Sequence, residues 1–368
     1  MGQRNQRSLI SMFYRVLRSI NRRAIIKKAI LRDGIHGIID RAYFKDNNGP
    51  NRENRKIIFH CLAWGRFLDW FFSYTVPSLL QDGNIPALAR DGYEFKLYIY
   101  THPEEFEEIT EKYDSCLTRL KDYLPIEIVS LRELKAGWLT GHYWQSALID
   151  QIKRCISEDA TMFLTPPDTV FGNWSVSNAV KIVQGKNVCL AAAHARVKQE
   201  SFIASNSATD LKKMDLKIEN DELVDLAFEH GHEYLLGFLD DVDSNMTHGG
   251  ISIRRINETT YSVVHNGPTP YLANFVKDDL KYFESSGSSW DNRWPRLLLR
   301  QNRLKVVGSS DSFFCVEITP DDGRHLTNFQ SGSLNNDRYL AKGQRMLHNY
   351  VHNSFCCVWK GREGRPVD

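Results

Sequence analysis

From Lys56 onward, apolar runs short enough to be strands alternate with longer stretches whose apolar residues recur at helical spacing. "KIIFHCLAWG" is an apolar run closed by glycine and reads as a buried strand. "RFLDWFFSYTVPSLLQDG" has helical spacing as far as Pro77, whose missing N–H predicts a stop there. A second strand is expected from about Lys96 to Tyr100, followed by a helix whose start is marked by Pro103 and the acids behind it. "LPIEIVSL" supplies a third strand, and "WLTGHYWQSALIDQIKRCISEDA" a long helix that delivers the chain to "TMFLTPPDTVFG". One more unit follows, the helix "SVSNAVKIVQGK" and the strand "NVCLAAAHARV". Beyond Glu200 the segment "DELVDLAFEHGHEYLLGFLDD" reads as helix, and "GISIRRI", "TTYSVVHNG" and "RLKVVGSSDSFFCVEITP" read as strand-like pieces. Strands alternating with helices imply an α/β chain whose sheet is covered on both faces. The fold expected is a Rossmann-type three-layer sandwich whose mixed C-terminal half completes the central sheet.

The ends of the chain differ from this body. Between Arg7 and Arg32, Leu9, Phe13, Val16, Leu17 and Ile20 recur at helical spacing among Arg and Lys residues, and no acid precedes Asp33. Such a basic amphipathic helix suits an anionic membrane surface, or packs on the body with its charges in solvent. "FKDNNGPNRENRK" has the Asn, Gly, Pro and charges of a linker. The expected organisation is therefore a basic helical segment over 1–45, a linker over 46–55, a catalytic-type domain over 56–330 and a C-terminal extension over 331–368 that packs on it.

Composition narrows the function classes. With 368 residues, 42% hydrophobic and 25% charged, the chain can bury a large core, and a net charge of +2 gives no general affinity for polyanions, so no nucleic-acid partner is expected. Its seven cysteines include no C-x-x-C pair, and most lie in apolar runs where a thiol is a small hydrophobe, which points to a reducing, cytoplasmic setting. There is no P-loop, no G-x-G-x-x-G after the first strand and no G-x-S-x-G elbow, which argues against a P-loop kinase, an ordinary Rossmann dehydrogenase and a hydrolase of the elbow type. Three N-x-S/T sequons, at Asn173, Asn245 and Asn257, carry meaning only in a secretory pathway.

The candidate chemistry begins at "MFLTPPDTVFG". In open α/β sheets ligands bind beyond the carboxyl ends of the strands, and Asp168 falls at such an end, behind two prolines that carry the chain out of the sheet. A carboxylate there can hold a divalent cation that neutralises a diphosphate, or simply cap the next turn. Other polar residues stand at strand ends: His194 and Arg196 in "HAR", His265 in "VVHNGPTPY", and Asp311 in "GSSDSFFCVEI". A literal Asp-x-Asp at Asp241 to Asp243, with Asp240 and His248 nearby, follows a helical pattern rather than a buried strand and ranks second as a metal site. His230 and His232, two residues apart, share a metal only if the helix breaks at Gly231.

The acid motif "PPDTVF" at a strand end, the helix after it and the strand ending "AAAHARV" resemble nucleotide-sugar-dependent glycosyltransferases of the GT-A fold, in their divergent carbohydrate-cluster form. The resemblance runs from about Lys56 to Thr319. It implies a nucleotide-sugar donor, a glycan or lipid-linked acceptor, and a Mn²⁺ or Mg²⁺ ion at Asp168, with Pro167, His194 and Arg196 in the donor site. It further implies base and ribose contacts from the loop Ala63, Trp64, Gly65 and Arg66 and from Arg90 and Asp91. For the base that deprotonates the acceptor, Asp291 in "SSWDNRW" comes ahead of Glu200, with Trp290 and Trp294 as sugar platforms. The usual Asp-x-Asp is here Asp168-Thr169-Val170, so metal binding rests on further ligands, for which His265 and Asp311 are the candidates. Location on the inner membrane face, through the basic segment, follows from a lipid-linked acceptor. The rival readings are a non-catalytic nucleotide- or glycan-binding protein of the same fold and another α/β transferase such as a methyltransferase.

Overall fold

The structure is a computed structural model that describes residues 55–134, 143–184, 189–213, 217–236, 239, 251–265, 269–286, 293–320 and 355–362. The basic segment 1–45 and all of the expected linker but Arg55 lie outside them. The strands are β1 (Lys56–Leu62), β2 (Glu94–Thr101), β3 (Ile126–Ser130), β4 (Thr161–Leu164), β5 (Thr169–Phe171), β6 (Cys189–Ala192) and β7 (Ala195–Lys198). They continue with β8 (Ile251–Arg255), β9 (Thr260–His265), β10 (Thr269–Ala273), β11 (Leu304–Val306), β12 (Cys315–Thr319) and β13 (Phe355–Lys360).

The side-chain period of two along β1 explains the layering. Ile57, Phe59 and Cys61 enter a core with Leu68, Phe71, Leu88, Leu117 and Val180 on one face of the sheet. Ile58 points the other way, into a core with Leu148, Ile152, Tyr282 and Trp294. Helices therefore cover both faces, and the central sheet runs β11-β6-β10-β4-β1-β2-β3. Within it β10 is antiparallel to both neighbours and the other pairings are parallel. The protein is a mixed α/β fold with a seven-stranded mixed sheet, consistent with the GT-A-like arrangement expected.

Two smaller sheets, β5-β12-β7 and β13-β9-β8, share a further core with Phe202, Leu223, Val224 and Trp359. Their existence corrects the reading of "NVCLAAAHARV" as one strand and adds a further strand after Asp168. "TMFLTPPDTVF" is β4 in the central sheet and then β5 in the second, because prolines 166 and 167 cannot donate to a ladder. "CLAAAHARVK" likewise splits at Ala193-His194 into β6 and β7, which lie in the same two sheets. Both breaks fall along one seam.

The helix after β1 also departs from expectation, since it does not stop at Pro77. It runs as Arg66–Trp70, a π-helical turn over Phe71–Thr75 and Val76–Leu79, with Pro77 at the start of the last piece. A wider i→i+5 turn upstream of a residue without an N–H lets the helical path continue.

Candidate functional site

Four hydrogen bonds fix the Pro166-Pro167-Asp168 step where it leaves the central sheet. Thr165 donates through its amide (2.9 Å) and its hydroxyl (2.7 Å) to the carbonyl of His60 in β1. The Thr75 hydroxyl, in the π-helical turn, donates to the Pro167 carbonyl at 3.0 Å. On the far side the amide of Ile318 in β12 donates to the Asp168 carbonyl at 2.7 Å. The step is thus tied to β1, to the first helix and to the second sheet at once, which holds Asp168 in one place.

Sheet register then assembles the neighbouring charges. Glu317 in β12 stands opposite Thr169 of β5 and Arg196 of β7, so the three form a row across one face of the second sheet. Glu317 Oε1 is 3.1 Å from the Arg196 guanidinium, and its Oε2 is 3.0 Å from His194 Nε2. His194 Nδ1 lies 3.4 Å from the hydroxyl of Thr269, the first residue of β10. Pro166, Pro167, Thr169, His194, Arg196 and Glu317 all line a cavity of about 560 Å³. Leu62 and Leu164, the last residues of parallel strands β1 and β4, line it too, so it opens at the carboxyl ends of the sheet.

Electrostatics separate the two acids of this corner. Burial, reinforced by the charge of Glu317, pushes the Asp168 carboxyl well above the ordinary carboxylate range. Burial also opposes ionisation of Glu317, yet Arg196 first and His194 second hold it below its ordinary value. Glu317 is the ionised member, therefore, and Asp168 keeps its proton more readily. Two acids with environments that push them apart suit different tasks in one site.

The sequence-derived candidates divide cleanly. Pro167, His194 and Arg196 line the cavity, and Asp168 stands at the same seam between lining residues Pro167 and Thr169, outside the lining itself. Ala63, Trp64, Gly65 and Arg66 follow β1 at the same end of the sheet but beside the cavity rather than in its lining. Ala63 is buried, with its amide on the Tyr100 carbonyl, and the amide of Gly65, at φ +53°, donates to Glu105 Oε1 at 3.0 Å. Trp64 is exposed, its ring 5.4 Å from that of His102, and Arg66 lies over the Phe67 and Trp70 rings.

Several expectations are corrected. Arg90 and Asp91 end a helix that leads into the amino end of β2, the edge opposite the cavity; Arg90 pairs with Asp82 and Asp91 with Lys181. Asp311 is no metal ligand beside Asp168, because it sits in an exposed turn bonded to the Ser309 hydroxyl and to Lys360. Glu200 is exposed on the helix Gln199–Ile203 that follows β7, outside the cavity lining. Trp294 is no sugar platform: it is wholly buried, stacked on Phe275 at 5.2 Å with its indole N–H on Asp279. Asp291, Trp290, Asp240, Asp241, Asp243 and His248 lie outside the described residues. His265 ends β9 in the third sheet, and its side chain lies outside the described residues as well. The helix does break at Gly231, but His230 and His232 straddle β7, joining it through the His230 carbonyl and the His232 amide. Asn173 is buried with both ends of its amide hydrogen-bonded, to Gly83 and Glu219, and is no glycan acceptor.

Sequence reasoning missed Glu317 and His60. The signal for Glu317 was a lone acid in the middle of the apolar strand "FFCVEITP", and for His60 an imidazole inside "KIIFHCL". Among the described residues no group of three His, Cys, Asp or Glu is placed to hold a metal ion. Both Glu317 oxygens are committed to Arg196 and His194, and among the described residues Asp168 forms no ion pair. A single carboxyl that favours its proton does not fit a protein-held divalent ion.

No family model matches the chain, and no curated protein matches it in sequence. Among solved structures, the crystal structure of GalNAc-T7 with UDP, GalNAc and Mn²⁺ is similar over 74% of this chain and 45% of that one, at 9% identity and a TM-score of 0.36. It is a weak neighbour of glycosyltransferase-like fold, and this chain spans less than half its length.

Proposed function

We propose that the protein is a nucleotide-sugar-dependent glycosyltransferase. The observation that carries this reading is the position of Asp168: an acid anchored at the exit of the central strand β4, beside a cavity at the carboxyl ends of a mixed α/β sheet whose lining includes Arg196 and His194. Transfer from a nucleotide sugar expels a diphosphate, so the site must meet developing negative charge. A protonated Asp168 donates a hydrogen bond to a phosphate oxygen, where an ionised one would repel it. Arg196, with its charge shared with Glu317, adds a cation at the same mouth.

On this reading the acceptor is a glycan or a lipid-linked sugar. The basic segment 1–45 brings the enzyme to an anionic, cytoplasmic membrane face. The base for the acceptor hydroxyl is Asp291, which lies outside the described residues.

Turnover of a panel of nucleotide sugars tests the proposal, with S-adenosylmethionine as the control for another α/β transferase. Asp168→Ala, which removes the donor, should lower kcat by orders of magnitude, equivalent to about 3 kcal/mol or more, while the protein stays folded, whereas Asp168→Asn, neutral and still a donor, should keep far more of the activity. Full activity in Asp168→Ala removes this residue from the site. Tight donor binding without transfer by the wild type makes the protein a binding module, the reading that the committed state of Glu317 favours next.

A further inference from the structure

Three polar side chains on the cavity wall come from separate parts of the chain and meet in a line. His194 stands in the break between β6 and β7, Thr269 opens β10 opposite Ala192 of β6, and Glu317 lies in the middle of β12. His194 Nε2 is 3.0 Å from Glu317 Oε2, and His194 Nδ1 is 3.4 Å from the Thr269 hydroxyl. All three line the cavity, and the His194 and Glu317 side chains are 15% and 22% exposed, so the row is open to a ligand rather than sealed in the core.

This geometry sets the tautomer. Arg196 and His194 hold Glu317 ionised, and an ionised carboxylate only accepts, so Nε2 carries the proton and donates it to Glu317. Nδ1 is then the bare nitrogen, and the Thr269 hydroxyl donates to it. A hydroxyl on one ring nitrogen and a carboxylate on the other are the parts of a nucleophile, its base and an orienting acid, a set recognised by geometry rather than by sequence spacing. The 3.4 Å contact is looser than a reacting distance, and such contacts tighten when substrate fills the site.

The rest of the lining limits the substrate. Arg196, opposite Glu317 in the sheet register, puts positive charge on the same wall, where it meets a developing oxyanion. Leu62, Leu148, Leu164 and Trp144 supply an apolar part of the lining that suits a hydrocarbon acyl chain.

We propose that Thr269, His194 and Glu317 form a catalytic triad that hydrolyses carboxylic esters of an apolar acid. Thr269 Oγ1 bonds to the ester carbon as its proton passes to His194 Nδ1 and the carbonyl electron pair moves onto oxygen. Collapse breaks the bond to the alcohol, which leaves with the proton from Nδ1. Water then gives a proton to Nδ1 and attacks the acyl carbon, and that proton returns to Thr269 as the acid departs. Glu317 touches no substrate; it is a positioning residue that holds the ring and balances the imidazolium. This activity goes beyond the transferase reading and does not rest on it.

The test is hydrolysis of p-nitrophenyl acetate, butyrate and octanoate by the full chain, together with trapping by an octyl fluorophosphonate, whose adduct does not hydrolyse as an acyl ester does. Octanoate should be the best ester, and the trapped group should map to Thr269 by tandem mass spectrometry. Thr269→Ala should lower kcat/KM at least about a hundredfold, and Thr269→Ser, which restores the hydroxyl, should recover activity. His194→Gln should match the loss in Thr269→Ala, because the two act as a unit. Glu317→Gln should lower kcat with KM little changed, which loss of packing alone would not do. An unmodified chain that the fluorophosphonate does not label at Thr269 overturns the proposal, and this readout needs no variant to fold. Equal hydrolysis by the wild type and Thr269→Ala overturns it as well, since the nucleophile then lies elsewhere. Ester hydrolysis without sugar transfer keeps the triad and removes the transferase reading, and sugar transfer without ester hydrolysis does the reverse.

Discussion

Asp168 and Glu317 share one corner but respond to pH in opposite senses. The native pKa of Asp168 is raised, so its contribution to stability is complete below the ordinary carboxyl value of about 4 and is lost as pH rises through the native value. Glu317 is depressed, so its contribution is present above about 4.3 and is lost as pH falls through its lowered native value. Asparagine is neutral at every pH. Urea midpoints measured from pH 5 to pH 9 should therefore fall for the wild type relative to Asp168→Asn as pH rises. Parallel profiles would mean that burial and Glu317 do not act on Asp168 as the geometry implies. At this scale the sequence showed Asp168, His194 and Arg196 because they stand at run ends, whereas Glu317 was hidden in an apolar strand whose register alone sets it against Arg196.

Among the elements, the β11 edge of the central sheet depends on connections that no local pattern displays. The pair Arg303 and Asp279 is one: both are buried, 2.7 Å apart, and join the start of helix Lys277–Ser286 to the turn before β11. Asp279 also accepts from the amide of Val276 and the indole N–H of Trp294, so one carboxylate gathers the helix N-terminus, the following helix and the edge of the sheet. Asp279→Ala leaves the guanidinium buried without its counter-charge and should cost about 3–5 kcal/mol, read as a lowered urea midpoint with the m-value unchanged. A loss under about 1 kcal/mol would show that water reaches Arg303. Strand and helix types were largely legible here, since period two and period 3.6 follow from backbone geometry. The continuation of the first helix past Pro77 was not, because a π-helical turn depends on how Phe71, Phe72 and Tyr74 pack rather than on the proline alone.

For the whole molecule, the proposed transfer to a lipid-linked acceptor predicts contact with a membrane surface. The segment from Arg7 to Arg32 offers apolar side chains at helical spacing and basic residues with no opposing acid, each worth roughly 1 kcal/mol near an anionic surface. The full chain should co-sediment with phosphatidylserine vesicles in low salt and release as salt rises, and a chain lacking the residues before Lys56 should stay in solution. Equal sedimentation of the two would leave a soluble acceptor.

The sequence by itself determined the alternation of strands and helices, the coverage of the sheet on both faces and the importance of the Pro-Pro-Asp step. These depend on spacing and on backbone chemistry that each residue carries with it. Only the tertiary structure decided that β4 and β5, and likewise β6 and β7, belong to different sheets. Only it could show that Arg90 and Asp91 stand at the wrong edge, that Asp311 pairs with Lys360 on the surface, and that Glu317 and His60 line the cavity. Those facts depend on which distant strand lies alongside, and partner and register are set by packing across the whole core rather than by any local run.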